Sequence, residues 1–421
     1  MSRTLVKTIV TLLLVIGILA GVGSISLAAP VELNVWSWRS EDVEAYQQMF
    51  TEFEKKNPGI KVKFSTYLDA EYEVILSTAL KAGKGPNIAQ LKAYGELQPL
   101  INAGLLVSLE GKIPELSNFT DVALDGARSR ADGKIYGVPY SIPNMGIFYN
   151  RAIFAKYGLT IPQTWDEFIQ VCSKLKSKGV TPIAAGGASG SAWALEIMVG
   201  VIGPNFYGAD AFWQEITTGK ATFTDPRFVK ALTMIQALGP YLTQGFEGID
   251  YVAACSEFVN EDAAMFIGGS WENGNFKYQN PSLDFDIFPC PPEEKGQPAY
   301  TSAFCDGSYG ITTNSKHQAE ALKLMRFMAS KEFGQMYADL LGWPPAMKDI
   351  SANDRVLESM LEMQEHQTPY LPLVGFRWET PTASQAIQSG ISSMLAGRIT
   401  PEQLAKNVND AVMTWFKPPS K

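Results

Sequence analysis

The sequence predicts an α/β fold built as two lobes. Strand-like and helix-like segments alternate from residue 31 onward, and no repeat, heptad or low-complexity run interrupts them. The roughly 390 residues that follow an amino-terminal leader also exceed what one compact core supports.

The alternation can be followed residue by residue. Val31, Leu33 and Val35 alternate with Glu32 and Asn34 as a strand ending at Trp36. Ser40-Glu41-Asp42 then opens a helix whose apolar positions Val43, Tyr46, Phe50 and Phe53 recur with helical period, and Asn57-Pro58-Gly59 stops it. Ile60, Val62 and Phe64 alternate as a second strand, a helix runs from about Tyr72 to Lys81, and Gly83-Lys84-Gly85-Pro86 breaks it before a third strand at 88–91. Further on, Thr164 with Glu167 predicts a capping box, Asp225-Pro226 opens a helix, and Thr400-Pro401-Glu402-Gln403 starts the last one. Runs 146–149, 182–185 and 263–267 read as strands between these helices.

Arg3 and Lys7, an apolar run over 12–22 and the small residues ending at Ala28-Ala29 read as a secretory signal peptide, cleaved near Ala28 or Ala29, with an uncleaved membrane anchor as the alternative. The apolar stretch is too short for a spanning helix, and no cysteine stands at the cleavage point. The mature chain is therefore expected to be extracytoplasmic and soluble, without a lipid anchor. Of the 35 basic residues Arg3 and Lys7 leave with the leader, so 33 face 43 acidic ones, and no basic stripe is present to hold nucleic acid. Export permits a disulfide; Cys290 and Cys305, flanking a loop, are its candidates, with free buried thiols as the alternative.

Catalytic and cofactor chemistry lack their usual parts. The two histidines, His317 and His366, stand beside no nucleophile and in no zinc motif, and the four cysteines show no C-x-x-C spacing. The run Gly186-Gly187-Ala188-Ser189-Gly190 matches neither a dinucleotide fingerprint nor a P-loop. No enzyme activity, metal or cofactor is expected.

What the chain does have is aromatic residues near turns, accompanied by charged and amide side chains. Sugars present C–H faces to aromatic rings and hydroxyls to fixed acceptors and donors, so a carbohydrate site needs both kinds of residue together. Trp38 and Arg39 follow the first strand, where ligands of open α/β sheets bind. Trp36 shares the face of Trp38 if the strand persists; the alternative is that both cover the helix below. Trp271 and Glu272 leave a strand through Gly268-Gly269-Ser270, a poor setting for a core tryptophan. Arg377, Trp378 and Glu379 place an aromatic between charges of opposite sign, a contact set for ligand or an Arg/Glu pair that fixes the loop. Trp193 opens an apolar helix and Trp343 sits in Gly342-Trp343-Pro344-Pro345; core and rigid-turn roles are their alternatives.

The order of several short motifs is more specific than any one of them. Ala82-Gly83-Lys84-Gly85-Pro86-Asn87, Gly104-Leu105-Leu106-Val107-Ser108-Leu109, Asp132-Gly133-Lys134-Ile135-Tyr136-Gly137-Val138-Pro139, Phe148-Tyr149-Asn150, Ala263-Ala264-Met265-Phe266-Ile267 and Ala396-Gly397 follow one another over nearly the whole mature chain. The series resembles the extracellular solute-binding proteins of carbohydrate ABC transporters, family 1, the group of the maltose-binding protein.

The resemblance implies a periplasmic-binding-protein fold with discontinuous lobes and a hinge of several crossings. Residues 30–140 with 307–342 would form the first lobe, and 141–306 with 343–421 the second. It implies a monomeric receptor that closes around a sugar or oligosaccharide and meets the transporter's permease subunits. It places Trp271 as the stacking aromatic, Tyr94 in the amino-lobe binding loop, Asn144 as a polar contact in the first crossing and Asp306 as a hydroxyl acceptor in the return crossing. Asn87 stands where relatives often carry an acid, and no acid lies near Pro143, so sugar identity does not carry over. The rival readings are the same fold holding a polyol, a glycerophosphodiester or a peptide, and a secreted glycosidase, which needs two carboxyl groups across a scissile bond.

Overall fold

The computed structural model describes residues 29–188 and 190–418, so the expected leader lies outside the described residues apart from Ala29. In chain order the strands are β1 (Val31–Ser37), β2 (Ile60–Thr66), β3 (Ile88–Lys92), β4 (Val138–Ser141), β5 (Met145–Asn150) and β6 (Thr181–Ala184). They continue with β7 (Ala263–Gly269), β8 (Phe285–Phe288), β9 (Thr301–Ala303), β10 (Gly307–Ile311) and β11 (Gln367–Pro369). One sheet runs β2-β1-β3-β10-β4, with β1 parallel to β2 and β3, and β10 antiparallel between β3 and β4. The second runs β6-β7-β5-β8, with β6 parallel to β7 and β5 antiparallel to both its neighbours. β9 and β11 pair as a short parallel ribbon.

Each sheet carries its own core. In β1, Leu33 and Val35 point inward, where the helix Val43–Lys56 buries Tyr46, Met49, Phe50 and Phe53 at helical spacing. In β3 residues 88–91 are all buried, as suits an inner strand covered on both faces. β7 is buried along its whole length at the heart of the second lobe, beside a cluster that includes Trp165, Phe168, Phe212 and Leu404.

Helix starts follow cap chemistry. Thr400 and Gln403 exchange both bonds of a capping box before the helix Pro401–Met413. At Thr164 only half the expected box forms: its Oγ1 accepts from Glu167 N at 3.3 Å, while the Glu167 carboxylate accepts from Gln163 N, one residue upstream of the cap. No described helix is long and apolar enough to cross a membrane.

Three segments pass between the sheets: 142–144 from β4 to β5, 304–306 from β9 to β10, and 342–345 after the helix Lys331–Leu341. They are tied to one another at Ser141. Its carbonyl accepts Asp306 N at 3.2 Å and its hydroxyl donates to Pro344 O at 2.8 Å, while Tyr140 O accepts Ala346 N at 3.1 Å. Asn144, expected to offer a polar group to ligand, is instead wholly buried with both ends of its amide used. Its Nδ2 donates to Met360 O at 2.6 Å, and its Oδ1 accepts from Gln364 and Gln367 at 3.3 Å each.

The disulfide candidate is also corrected. All four cysteines are buried free thiols, and Cys290 and Cys305 turn their Sγ atoms to the carbonyls of Pro291 and Gly307. Asn87 is structural too, accepting from Asn34 N and donating to Ser315.

Replacing Asn144 by Ala strands the Met360 carbonyl and two amides in a dry crossing. The expected loss is about 1–3 kcal/mol of folding stability, read as a lower urea midpoint at unchanged slope.

Candidate functional site

Between the lobes lies a cleft of about 570 Å³. A shallower concavity on the second lobe, bounded by residues 351–362, has no aromatic in its wall.

The second lobe supplies three rings to the cleft. Trp271 caps the helix Glu272–Gln279 just beyond β7, Trp193 stands in the first turn of the helix Ala192–Val201, and Tyr251 opens the helix Tyr251–Val259. Trp193 lies 4.4 Å from Tyr251 and 6.4 Å from Trp271, centroid to centroid. Trp271 Nε1 donates to Tyr251 Oη at 2.9 Å, and Tyr251 donates on to Glu272 Oε1 at 2.7 Å. A Cβ on Gly269 would overlap the six-membered ring of Trp271, so the glycine that ends β7 makes the seat for that ring. Trp193 is 37% exposed, so its face is open to a guest, and its alternative role as a core residue is not what the structure shows.

Two buried carboxyl groups line the same side. Glu272, 4% exposed, accepts from Tyr251 and from Asn275 Nδ2 at 2.7 Å. Glu196, 3% exposed, accepts from Ser384 at 2.7 Å, Gln388 at 2.6 Å and Tyr370 at 3.2 Å. Burial pushes both above the usual carboxylate range, and these hydrogen bonds draw them part of the way back. Cys255 also lines the cleft, its thiol pushed up by burial.

The first lobe contributes Trp38, Arg39, Glu41, Asp69 and Lys92. β1 ends at Ser37, so Trp38 leaves the sheet while Trp36 stays behind, 4.8 Å from the ring of Tyr67. Lys92 Nζ sits 4.2 Å over the Trp38 ring and pairs with Asp69 at 2.5 Å. Arg39 is held by Asp42 at 2.7 Å and Glu41 at 2.8 Å. From the crossing, Asp306 enters the cleft with one oxygen accepting from Tyr140 at 2.6 Å.

The structure thus brings Trp38, Arg39, Trp193, Trp271, Glu272, Asp306 and Arg377 to one cavity. It does not bring the others there. Trp343 is 2% exposed, packed on Tyr337 with Arg39 over its ring. Tyr94 is buried, its hydroxyl accepting from Cys305 N at 2.9 Å and its ring edge-on to Trp378. Trp378 packs against Tyr94 beneath Arg130, Glu379 is exposed outside the cleft, and Arg377 pairs with Glu96 rather than with Glu379. Residue type alone does not separate a ring that faces a guest from one that supports such a ring. Glu196, Tyr251, Lys92, Tyr370 and Gln388 were missed; only Glu196, a lone acid in an apolar helix, carried a signal in the sequence.

Two α/β lobes around a cleft of rings and hydrogen-bonded acids define a receptor for a small solute. The chain belongs to the bacterial extracellular solute-binding proteins, whose family model matches residues 37–335. A multiple sugar-binding protein of Streptococcus mutans is 27% identical over 330 residues, 76% of each chain. An uncharacterised ABC transporter extracellular-binding protein of Pyrococcus horikoshii is 26% identical over 395 residues, 90% of this chain and 85% of its own. Among solved structures, a chitin oligosaccharide binding protein superposes with a TM-score of 0.77 at 22% identity, covering 91% of this chain and 98% of that one. A solute-binding protein in complex with raffinose superposes at 0.74 with 24% identity and the same coverage. These relatives are binding proteins.

Gly269→Ala is expected to unseat the Trp271 ring at a cost of about 1–3 kcal/mol, seen as a lower melting temperature and altered near-ultraviolet dichroism. In a Trp271→Ala background the same substitution is expected to cost little, because the ring it collides with is gone.

Proposed function

We propose that this chain is an extracytoplasmic carbohydrate receptor that closes around a neutral sugar or oligosaccharide and delivers it to the permease subunits of an ABC importer. The carrying observation is the three-ring platform of Trp193, Tyr251 and Trp271 set beside Glu196 and Glu272, two acids held only by neutral donors in the hydrogen-bond network. Rings take the C–H face of a pyranose, and acceptors fixed in place take its hydroxyls.

Charge supports a neutral cargo. Arg39, Lys92 and Arg377 are the cations of the cleft, and each is already paired with an acid: Asp42 and Glu41, Asp69, and Glu96 in turn. A phosphorylated or uronic ligand would meet Glu196, Glu272 and Asp306 with no free cation among the described residues, which disfavours the glycerophosphodiester reading. The rest of the reading is a mature, soluble monomer released from its leader, without a lipid anchor, nucleic acid partner or catalysis. One lobe at residues 30–140 with 307–342 and the other at 141–306 with 343–421 would close about the three crossings. Closure requires the guest to touch both lobes, since only differential affinity shifts a two-state population.

A thermal-shift panel tests this. Neutral mono- and oligosaccharides are expected to include at least one that raises the melting temperature, with uronates and sugar phosphates inert. Trp271→Ala is expected to lower affinity for the stabilising sugar at least tenfold, about 1.4 kcal/mol. Stabilisation by the acidic sugars alone would refute the reading, as would new reducing ends on prolonged incubation with oligosaccharides.

Acid gives a second check. The raised carboxyl groups of Glu196 and Glu272 take up protons while an ordinary glutamate, near pH 4.3, is still ionised. Their acceptor capacity, and with it sugar affinity in calorimetric titration, should fall as pH drops through that raised range. The same shift makes these two groups favour the folded chain toward lower pH, so the loss of binding is not a loss of fold.

A further inference from the structure

Among the described residues two ion pairs join the lobes as divided above: Lys331 with Asp349, close to the third crossing, and Arg377 with Glu96, the one of the two that includes a cleft residue. Arg377, in the loop after β11, pairs with Glu96 in the short turn after β3, at 2.5 and 3.0 Å. The neighbouring residues reinforce the contact. Trp378 and Tyr94 meet edge to face, and Arg130 of the first lobe lies 4.6 Å over the Trp378 ring. Between them Gly95 rests on the backbone of Arg377 and Trp378, where a Cβ would strike the Arg377 carbonyl and the Trp378 Cα. Tyr94 holds a left-handed backbone conformation, φ 59°, although it is not a glycine. Glu73 and Lys92, one of each sign, stand around the pair.

We propose that Glu96, Arg130 and Trp378 form an interlobe clasp that biases the empty receptor toward closure and, by holding Arg377 across the gap, completes the cleft only when the lobes meet. Arg377 is a cleft residue, whereas Glu96, Arg130 and Trp378 are not, so these three act on the guest through position. An open chain would leave Arg377 without its partner and its side chain free to turn. Affinity then depends on residues that touch no ligand, because apparent affinity scales with the fraction of the competent state. An ion pair and a cation–π contact in this partly exposed setting shift a two-state ratio together by roughly tenfold.

The proposal rests on the receptor reading for its biological sense, but its test needs no sugar. Leu68, next in sequence to the first-lobe cleft residue Asp69, and Val252, a cleft residue of the second lobe, are 66% and 70% exposed, and the four native thiols are buried. Nitroxides placed through Leu68→Cys and Val252→Cys on the full chain report the lobe-to-lobe distance by pulsed electron resonance. The unliganded native background is expected to show a dominant short distance. Glu96→Gln and Arg130→Ala are each expected to move the long-to-short ratio several-fold toward long, and 1 M salt to do the same to the native and Arg130→Ala chains, which keep the ion pair, but not to Glu96→Gln. Glu96→Arg should open the cleft further, and Glu96→Arg with Arg377→Glu should restore the short distance. Identical distributions in native, Glu96→Gln and Arg130→Ala chains, or a charge swap that fails to restore closure in a chain of native melting temperature, would overturn the clasp. Either result leaves the carbohydrate reading standing, just as an inert sugar panel would leave the distances standing.

Discussion

Everything in this molecule turns on the joint at Ser141, where three crossing segments are hydrogen-bonded into one strap. A two-lobed chain with independent crossings would let its sheets shear past each other. Here the Ser141 carbonyl takes Asp306 N, its hydroxyl reaches Pro344 O, and Tyr140 O takes Ala346 N, so the crossings bend together or not at all. The strap also orients chemistry. Tyr140, one residue from the joint, holds one oxygen of Asp306 and leaves the residue in the cleft. Tied crossings and an oriented carboxylate thus come from the same few residues.

The two walls use different physics. On the first lobe, charges are cancelled locally: Arg39 by Asp42 and Glu41, Lys92 by Asp69, with Trp38 beneath the ammonium. On the second lobe, the acids receive neutral donors, so their lone pairs are oriented without being neutralised. Desolvation makes such acids costly unless every donor is in place. Ser384, Gln388 and Tyr370 for Glu196, and Tyr251 and Asn275 for Glu272, meet that demand. Trp271 joins the second network through its indole N–H, so stacking surface and acceptor are mechanically one unit.

Much of the fold was legible because its signals are local. Period-two alternation marks β1 and β2, helical spacing of Tyr46, Phe50 and Phe53 marks the first helix, and Thr400 with Gln403 marks the last. Trp38 and Trp271 were legible for the same reason, as rings at strand ends beside turn residues. Misplaced residues fail by a common mechanism: Asn144, Tyr94, Trp343 and Trp378 are of types that serve ligand and scaffold equally, and their neighbours come from remote stretches of chain. Asn144 finds its partners at 360, 364 and 367, and Tyr94 finds its own at 305 and 378. Glu196 was hidden likewise, since its donors at 370, 384 and 388 appear only after folding. The Thr164 box erred by a single residue, a matter of backbone direction that no pattern of residue types encodes.

The four unpaired cysteines carry a consequence for how the chain must be made. Oxidation and thiol exchange proceed through the thiolate, and burial drives Cys172, Cys255, Cys290 and Cys305 far toward the protonated form. Once collapsed, the protein is therefore chemically quiet toward peroxides and disulfide-donating enzymes. While still extended it has four ordinary sulfhydryls to lose. Speed of collapse, rather than any covalent staple, is its protection outside the reducing cytoplasm, and a core mutation that merely delayed folding would surface as scrambled or cross-linked material.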